Sequence, residues 1–460
     1  MRKTKIVCTL GPATDSLEII RAMAAAGMNV ARLNLSHGDH KTHEKRVALV
    51  REVNKELEFP VGLLFDLQGP KIRVLGVTQP QDIKKGDTIT FTIKEGGSGI
   101  LVDYPRLCDD VKKGDTILVD DGMIQFKVTE TTASTVTCCA ENNGTLKDRK
   151  SVNVPGVHLH LPAITKKDRE DLLFAMKLNP DYIGLSFVKS KDDVEEVRKF
   201  LGEKKVQIIA KIECVEAVNA FDAILSAVDG VMIARGDLGV EVPLEKVPIL
   251  QYDIIKKCNT AGKPVITATH LLNSMIDNPR PTRAEVSDVS NAIFTGSDAL
   301  MLSGETATGS YPIESVKVLN QIACETEKRV RARFHKDYKT GSVGEIVARA
   351  VALVADSVRA KAILTLTQTG LTAQSLSTYR TSTPIFSITN NSLLSQAQHL
   401  RWGIFSVLLD TKKSPTEFVD EGIDALLKRG HIKKGDVVVI TAGVLDGGRR
   451  NYAEVRVVGQ

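Results

Sequence analysis

Over residues 4–66, continuous apolar runs alternate with amphipathic stretches: TKIVCTL, LEIIRAMAAAG, MNVARLNLS, a polar stretch from 39 to 57, and VGLLFDL. Unbroken β-branched and small apolar residues mark strands buried on both faces, and the stretches between them carry a helical period. Gly27 follows the Ala-rich run where a helix stop belongs. The order β-α-β-α-β requires parallel strands.

From residue 69 the texture changes. Short alternating segments such as DTITFTI, DTILVDD and IQFKVTE are separated by Gly-Asp, Asp-Gly and Asn-Gly turns, the pattern of a small antiparallel β barrel. The α/β rhythm resumes at 162 with YIGLSFV, QIIAKIE, GVMIARGD, PVITATHLL and DALMLSGE. Three strands before the insertion and five after it make eight βα units, and hence a (β/α)8 barrel. A basic stretch, KRVRARFHKDYKTG, marks a boundary, after which AILTLT, PIFSIT, IFSVLL, VVVITA and EVRVVG predict a further α/β domain. The expected organisation is a (β/α)8 barrel from 1–68 and 162–337, a β-barrel lid inserted at 69–161, and a C-terminal α/β domain at 338–460.

Composition adds little beyond this. The 460 residues are 42% hydrophobic and 25% charged, which suits two or three packed domains. A net charge of +5 with dispersed basic residues, together with 5% aromatic content, argues against a nucleic-acid partner. No apolar run has the length of a membrane helix, and the N-terminal MRKTKIVCTLGP is stopped by Gly11-Pro12 before it resembles a signal peptide. Seven cysteines without a Cys-x-x-Cys pair point to reduced thiols and a cytoplasmic location. Cys138 and Cys139 read as neighbours on opposite faces of one strand.

Two runs break off into charge. IIAKIE ends in Lys211 and Glu213, and VMIARGDLG continues into Arg235 and Asp237. Charge on a doubly buried strand belongs where the strand leaves the sheet, and in a (β/α)8 barrel the active site forms at those C-terminal ends. The other ends supply Arg32, Asn34, Ser36 and His37, then Asp66, Ser186, Thr267 and Thr269, and Ser303, Gly304 and Glu305. Singly, His37 reads as a surface cap, Asp66 as a turn cap and Ser303 as an idle loop hydroxyl. Together they are too polar to be packing, because buried charge needs partners. Glu213 and Asp237 suit a Mg2+ held jointly with substrate oxygens. Lys211 shares a strand face with Glu213 and can stabilise charge developing beside a metal. The turn at Gly236–Asp237 can offer backbone N–H groups to an anion at a helix start.

The segments KIVCTLGPAT, MNVARLNLSHG, DLQGPKIR, LVDDG, LPAITKKD, AKIE, IARGDLGVE, VITATHLLNSMIDNPRPTRAEVSDVSNAI and DALMLSGETA occur in this order. They resemble those of the pyruvate kinases across essentially the whole chain, the insertion and C-terminal domain included. The resemblance implies phosphoryl transfer from phosphoenolpyruvate to ADP, giving pyruvate and ATP. By matched motif it places Mg2+ (or Mn2+) on Glu213 and Asp237, and charge neutralisation on Arg32 and Lys211. It places the substrate carboxylate on the Gly236 and Asp237 amides, and a proton relay at Thr269. Asn34, His37, Arg73 and Lys167 would face the nucleotide, with the inserted barrel closing as a lid. Arg235 would support the Gly236–Asp237 turn. A homotetramer is also implied.

The departures from the family pattern are specific. Many pyruvate kinases read DTKGPEIR and hold K+ through Asn, Ser, Asp and a carbonyl, which here would be Asn34, Ser36, Asp66 and the Leu67 carbonyl. Lys71 stands where those members carry Glu, and its ammonium is expected to balance Asp66 and phosphate charge, making K+ dispensable. His270 and Asn273 replace the more usual Gln and Glu. In the C-terminal domain LTLTQTGLTAQSL resembles an effector-phosphate loop, with Thr367, Thr369, Gly370 and Thr372 in matching places. Leu371 replaces a basic residue there, which favours a monophosphate effector, or none, over a bisphosphate. Two rivals share part of this pattern. A Mg2+-enolate lyase or aldolase has little use for a lid of some 90 residues, and a metabolite sensor has none for the full set Arg32, Lys211, Glu213, Asp237 and Thr269.

Overall fold

The structure, a computed structural model, describes residues 1–330, 332, 343–409, 415–445 and 448–460. The expected junction at 337/338 lies outside the described residues. Eight parallel strands close into a barrel in the order Lys5–Thr9, Val30–Asn34, Gly62–Asp66, Tyr182–Leu185, Gln207–Ile212, Gly230–Ala234, Val265–Ala268 and Ala299–Leu302. The last strand pairs with the first, Ile6 lying opposite Leu300.

Strand alternation sorts the side chains. Ile6, Cys8, Ile208, Ala210 and Ile212 face the surrounding helices, whereas Val7, Val30, Leu64, Tyr182, Ile209, Met232, Ile266 and Met301 fill the barrel interior. Two residues beyond an inward apolar residue, the same face reaches the mouth. The inward phase therefore runs Val7 to Thr9, Val30 to Arg32, Leu64 to Asp66, Ile209 to Lys211 and Met301 to Ser303. Thr267 falls on the other phase, between the inward Ile266 and Ala268. Its hydroxyl meets Ser297 Oγ at 2.7 Å, outside the mouth.

Seven further strands between Ile72 and Asn153 close a second, smaller barrel around Phe91 and Phe126, whose rings pack edge-on at 5.4 Å. Its pairings are antiparallel except between Thr88–Thr92 and Ile100–Val102, which run parallel. The Asp120-Asp121-Gly122 turn sits wholly in the left-handed region, which suits Asp and Gly.

The C-terminal sheet has four parallel strands (Ile404–Leu408, Ile385–Thr389, Ala362–Leu366 and Val437–Leu445) and an antiparallel edge, Gly448–Val457. It closes the N-terminal end of the large barrel. Leu400 completes the barrel's inner cluster, and Tyr182 Oη donates to the Gln396 carbonyl at 3.0 Å. Buried Arg380 crosses to Asp298 at 2.9 Å and to the Gly296 carbonyl at 2.7 Å. With that end sealed, the polar residues gather at the other. All seven cysteines are free thiols, and the strand carrying Cys138 and Cys139 alternates between buried and part-exposed positions as expected.

Candidate active site

Asp66 ends its strand fully buried. Arg32 Nε donates to its Oδ2 at 2.7 Å, and Lys211 Nζ lies 3.2 Å from Oδ1. Burial alone would raise this carboxyl, but Lys211 and Arg32 together outweigh it and hold Asp66 below the usual carboxylate range. Burial likewise disfavours the Lys211 ammonium, yet Asp66 and Glu213 hold its pKa above normal. Arg32 Nη1 donates to Thr9 Oγ1 at 2.9 Å, which fixes the guanidinium across the mouth. Lys211 donates to Ser186 Oγ at 2.7 Å, and that hydroxyl donates to the Leu67 carbonyl at 2.7 Å.

Glu213 closes the run. Its Oε2 accepts the Phe187 N–H at 2.8 Å, while Oε1 is paired with the Lys211 ammonium at 2.9 Å. Burial first, and the Asp237 charge with it, raise the Glu213 pKa. Phe187 holds φ +51°, a left-handed conformation costly for a bulky residue, and so aims its N–H at the carboxylate. Gly69 makes room for this: a Cβ there would stand 2.7 Å from Ser186 Cβ and 3.3 Å from the Phe187 ring.

Across the mouth, the helix Arg235–Glu241 begins directly after its strand. Arg235 makes two bonds to Asp288, at 2.9 and 2.7 Å, and donates to the Thr269 carbonyl at 2.6 Å. Asp237, two residues on, lines the cleft and is one-third exposed. Thr269 and His270 both have positive φ, +65° and +54°. The Gly236 amide donates to Thr269 Oγ1 at 2.9 Å.

A hard divalent ion suits this donor set. Glu213 offers a buried oxygen met by the Lys211 ammonium at 2.9 Å and by no other hydrogen-bonding group, and Asp237 is bound only weakly by Lys71 Nζ at 3.9 Å. Among the described residues no three or more His, Cys, Asp or Glu are placed to hold a metal ion by themselves, so two carboxylates would need substrate oxygens to complete a shell.

Two domain models match the sequence: "Pyruvate kinase, barrel domain" over residues 1–316 and "Pyruvate kinase, alpha/beta domain" over 345–456. The chain belongs to the pyruvate kinase family. A pyruvate kinase of Geobacillus stearothermophilus is 45% identical over 99% of this chain and 80% of its own length. One from Clostridium acetobutylicum is 42% identical over all of both chains. The crystal structure of a pyruvate kinase from Cryptosporidium parvum superposes with a TM-score of 0.93 at 37% identity, covering 99% of this chain and 96% of that one. The chain is accordingly a phosphotransferase enzyme of this family.

The residues expected at a pyruvate kinase site separate into groups. Arg32, Asp66, Ser186, Lys211 and Glu213 form one connected network, with Asp237 facing it. Lys71 stands beside Asp237 and 5.7 Å from the Phe187 ring, whereas Asp66, its expected partner, is already covered by Arg32 and Lys211. Asn34 Oδ1 accepts the Ser36 N–H at 3.1 Å. The His37 side chain reaches the surface but is partly desolvated by its neighbours; that desolvation, and then the charges of Lys71, Arg32 and Arg73, lower its pKa, so these cations share one neighbourhood. Arg73 donates to the Arg149 carbonyl at 2.7 Å within the small barrel, and Lys167 to the Leu35 carbonyl and Asp171 at 2.7 and 2.6 Å. Glu305 is spent on the Leu272 and Ser303 amides, at 3.1 and 2.7 Å, but Ser303 Oγ is buried without a partner. Asn273 opens a short 3-10 turn.

Thr9, Phe187 and Asp288 escaped sequence reasoning. The small barrel touches the site's rim where Asn153 Nδ2 donates to Glu241 Oε1 at 2.9 Å. In the C-terminal domain Thr367 Oγ1 accepts the Gly370 N–H at 2.7 Å, and Gly370, at φ +82°, starts the helix Leu371–Thr378.

Proposed function

We propose that the chain moves the phosphoryl group of phosphoenolpyruvate to ADP and protonates the remaining enolate, giving pyruvate and ATP. The assignment rests on the buried run Arg32–Asp66–Lys211–Glu213, which ends at a carboxylate close enough to Asp237 to feel its charge. Glu213 and Asp237 would hold Mg2+, with Mn2+ the alternative. The ion, when bound, supplies charge neutralisation to the phosphate, carboxylate and enol oxygens. Arg32 and Lys211 take the charge of the phosphoryl group in transfer, preorganised by Asp66 so that they need not reorient.

The substrate carboxylate takes the Gly236 and Asp237 N–H groups. Thr269 Oγ1 accepts the Gly236 N–H and donates its own proton to the Ala268 carbonyl at 2.6 Å; turned from that carbonyl toward the enolate, the hydroxyl passes its proton on and takes one from water. Asn34, His37, Arg73 and Lys167 line the nucleotide side. The small barrel acts as a lid that excludes water, with Asn153–Glu241 one of its contacts. Lys71 supplies a fixed positive charge beside Asp237, and K+ at Asn34, Ser36, Asp66 and Leu67 is dispensable. Thr367, Thr369, Gly370 and Thr372 form the phosphate loop of an allosteric effector site. The active form is a cytoplasmic homotetramer. Among the described residues no helix is long and apolar enough to cross a membrane.

Pyruvate formation from phosphoenolpyruvate, followed with ADP and Mg2+ and then with excess EDTA, tests the assignment. ADP-dependent pyruvate that disappears with chelation is expected; no pyruvate with all three present contradicts it.

A further inference from the structure

Where the C-terminal sheet meets the sealed end of the barrel, a small cavity of about 60 Å³ lies between Lys5, which opens the first barrel strand, and Ile404, Phe405 and Ser406 of the C-terminal sheet. Neither Glu213 nor Asp237 lines it. A metabolite pocket has about 300–1,000 Å³, whereas one water takes about 30 Å³ of liquid volume. The cavity therefore has room for a few non-hydrogen atoms and for no metabolite.

Lys5 is 4% exposed, and among the described residues no ion pair includes it. Its Nζ donates to the Ile404 carbonyl at 2.6 Å and stands 4.2 Å from the centre of the Phe405 ring, a weak partner for a cation. Glu327 is the acid whose charge reaches it, but that carboxylate is occupied by the Lys3 and Thr4 amides, at 2.8 and 2.7 Å. Burial, and then the Arg2 charge, outweigh Glu327 and bring the Lys5 pKa down to about 7. Lys211 is also buried, yet there Asp66 and Glu213 push the other way. The difference is a paired carboxylate. Lys211 is a fixed ammonium, and Lys5 above neutral pH is an amine with a free electron pair.

The space beside that amine suits negative charge. His399 Nδ1 and Ser406 Oγ belong to residues that line it, and both atoms are buried without a hydrogen-bond partner. Such orphaned groups cost stability unless something meets them. No Asp or Glu is among the lining residues. Burial brings the His399 pKa down to about 4, so the ring can donate one N–H without adding a second charge.

We propose that Lys5 is a carbon dioxide acceptor, its Nζ reversibly forming a carbamate whose carboxylate is received by Ser406 Oγ and His399 across the domain junction. The amine electron pair forms the N–C bond, one C=O π pair moves to oxygen, and the displaced N–H proton leaves to solvent. Nothing is oxidised or reduced. The carbamate nitrogen keeps one N–H for the Ile404 carbonyl, and the added carbon and two oxygens fit the space. Larger carbonyl compounds, which a neutral amine could also attack, are excluded by volume. The modification turns the repulsion between Lys5 and Arg2 into attraction, and it ties the first barrel strand to the C-terminal sheet through Ser406.

The full chain, equilibrated with isotopically labelled bicarbonate and CO2 at about pH 8, is treated with a trialkyloxonium salt to fix carbamates as esters, digested and read by mass spectrometry. NMR of the untreated protein follows the labelled carbamate carbon in parallel, and the exposed Met1 α-amine is the reference for unassisted uptake. Half-labelling of Lys5 is expected at a CO2 concentration about tenfold or more below that of Met1, and labelling should fall at least about tenfold from pH 8 to pH 6 as the amine is protonated. Ser406→Ala should raise the half-labelling concentration about tenfold, through the loss of one hydrogen bond to a charged group. Bicarbonate, but not chloride, should raise the wild-type melting temperature by about 2 °C, and Lys5→Met should lose both this rise and the carbamate. Labelling of Met1 without Lys5, or of both at the same concentration, overturns the proposal. Equal labelling of wild type and Ser406→Ala removes the cradle and overturns it too. A melting rise given equally by chloride, with no carbamate on Lys5, makes the cavity a simple anion site instead. The wild-type readouts decide whether or not either variant folds.

Discussion

Replacing Asp66 with Asn leaves the side-chain shape almost unchanged and removes the charge between two buried cations. Asp66 contacts Arg32 at 2.7 Å and Lys211 at 3.2 Å, and all three side chains are at most 11% exposed. Breaking a buried ion pair from one side costs about 3–5 kcal/mol, because the remaining charge has lost its compensation. Here two cations would be left facing each other, with Glu213 the remaining partner of Lys211. The loss should therefore lie at the upper end of that range. Urea unfolding followed by circular dichroism, with wild type and Asp66→Asn compared from pH 8 downward, measures it. The folded Asp66 has a lowered pKa. Its contribution is thus fully present above the unfolded value of about 3.9 and is lost as pH falls through the folded value. The gap between the proteins should stay level from neutral pH to about pH 5 and narrow below about pH 4. Turnover should fall by about 10²–10³, since Arg32 and Lys211 lose their preorganising anion. A gap below about 1 kcal/mol, or one that widens on acidification, refutes the charge-balance reasoning.

Three further outcomes are open to measurement. Wild type should turn over at full rate in buffers free of K+, whereas Lys71→Glu should require it; many-fold stimulation of wild type by K+ rules out the role given to Lys71. Phe187→Val should weaken apparent Mg2+ affinity in activity titrations by about tenfold, because a β-branched residue resists φ +51°. Phe187→Gly should keep that affinity, and equal losses in the two would remove the backbone explanation. Arg380→Met removes the countercharge of the buried Asp298 carboxylate at the domain junction, leaving it the Val265 and Trp402 amides, and should lower stability by about 3 kcal/mol in urea melts, with the KM for phosphoenolpyruvate unchanged; a stable variant would show the pair to be incidental.

The barrel was legible because doubly buried strands leave unbroken apolar runs, and the candidate site because charge ends those runs. Arg32, Asp66, Lys211 and Glu213 needed no tertiary information beyond strand phase. Thr267 shows the limit: it stands two residues before Thr269, but on the outward phase, where it meets Ser297. Counting back from the mouth does not separate them, because the chain turns left-handed at Thr269. Phe187 was invisible for a related reason. Its contribution is an N–H direction set by an unfavourable φ, and Phe is the last residue type to announce one. Lys71 stands out in the sequence, but its partner is a three-dimensional fact: Asp66 is five residues away in the chain and Asp237 is distant. The seal of Tyr182, Leu400 and Arg380 links segments about 200 residues apart in the case of Tyr182 and Leu400, beyond the reach of periodicity.

Lys211→Met tests the central claim most directly, that a buried, charge-balanced ammonium carries the moving phosphoryl group. Its turnover of phosphoenolpyruvate with saturating ADP and Mg2+ should fall by about 10³ or more, with the KM for phosphoenolpyruvate changed by less than about fivefold. Turnover within about tenfold of wild type, or a loss confined to KM, would contradict it.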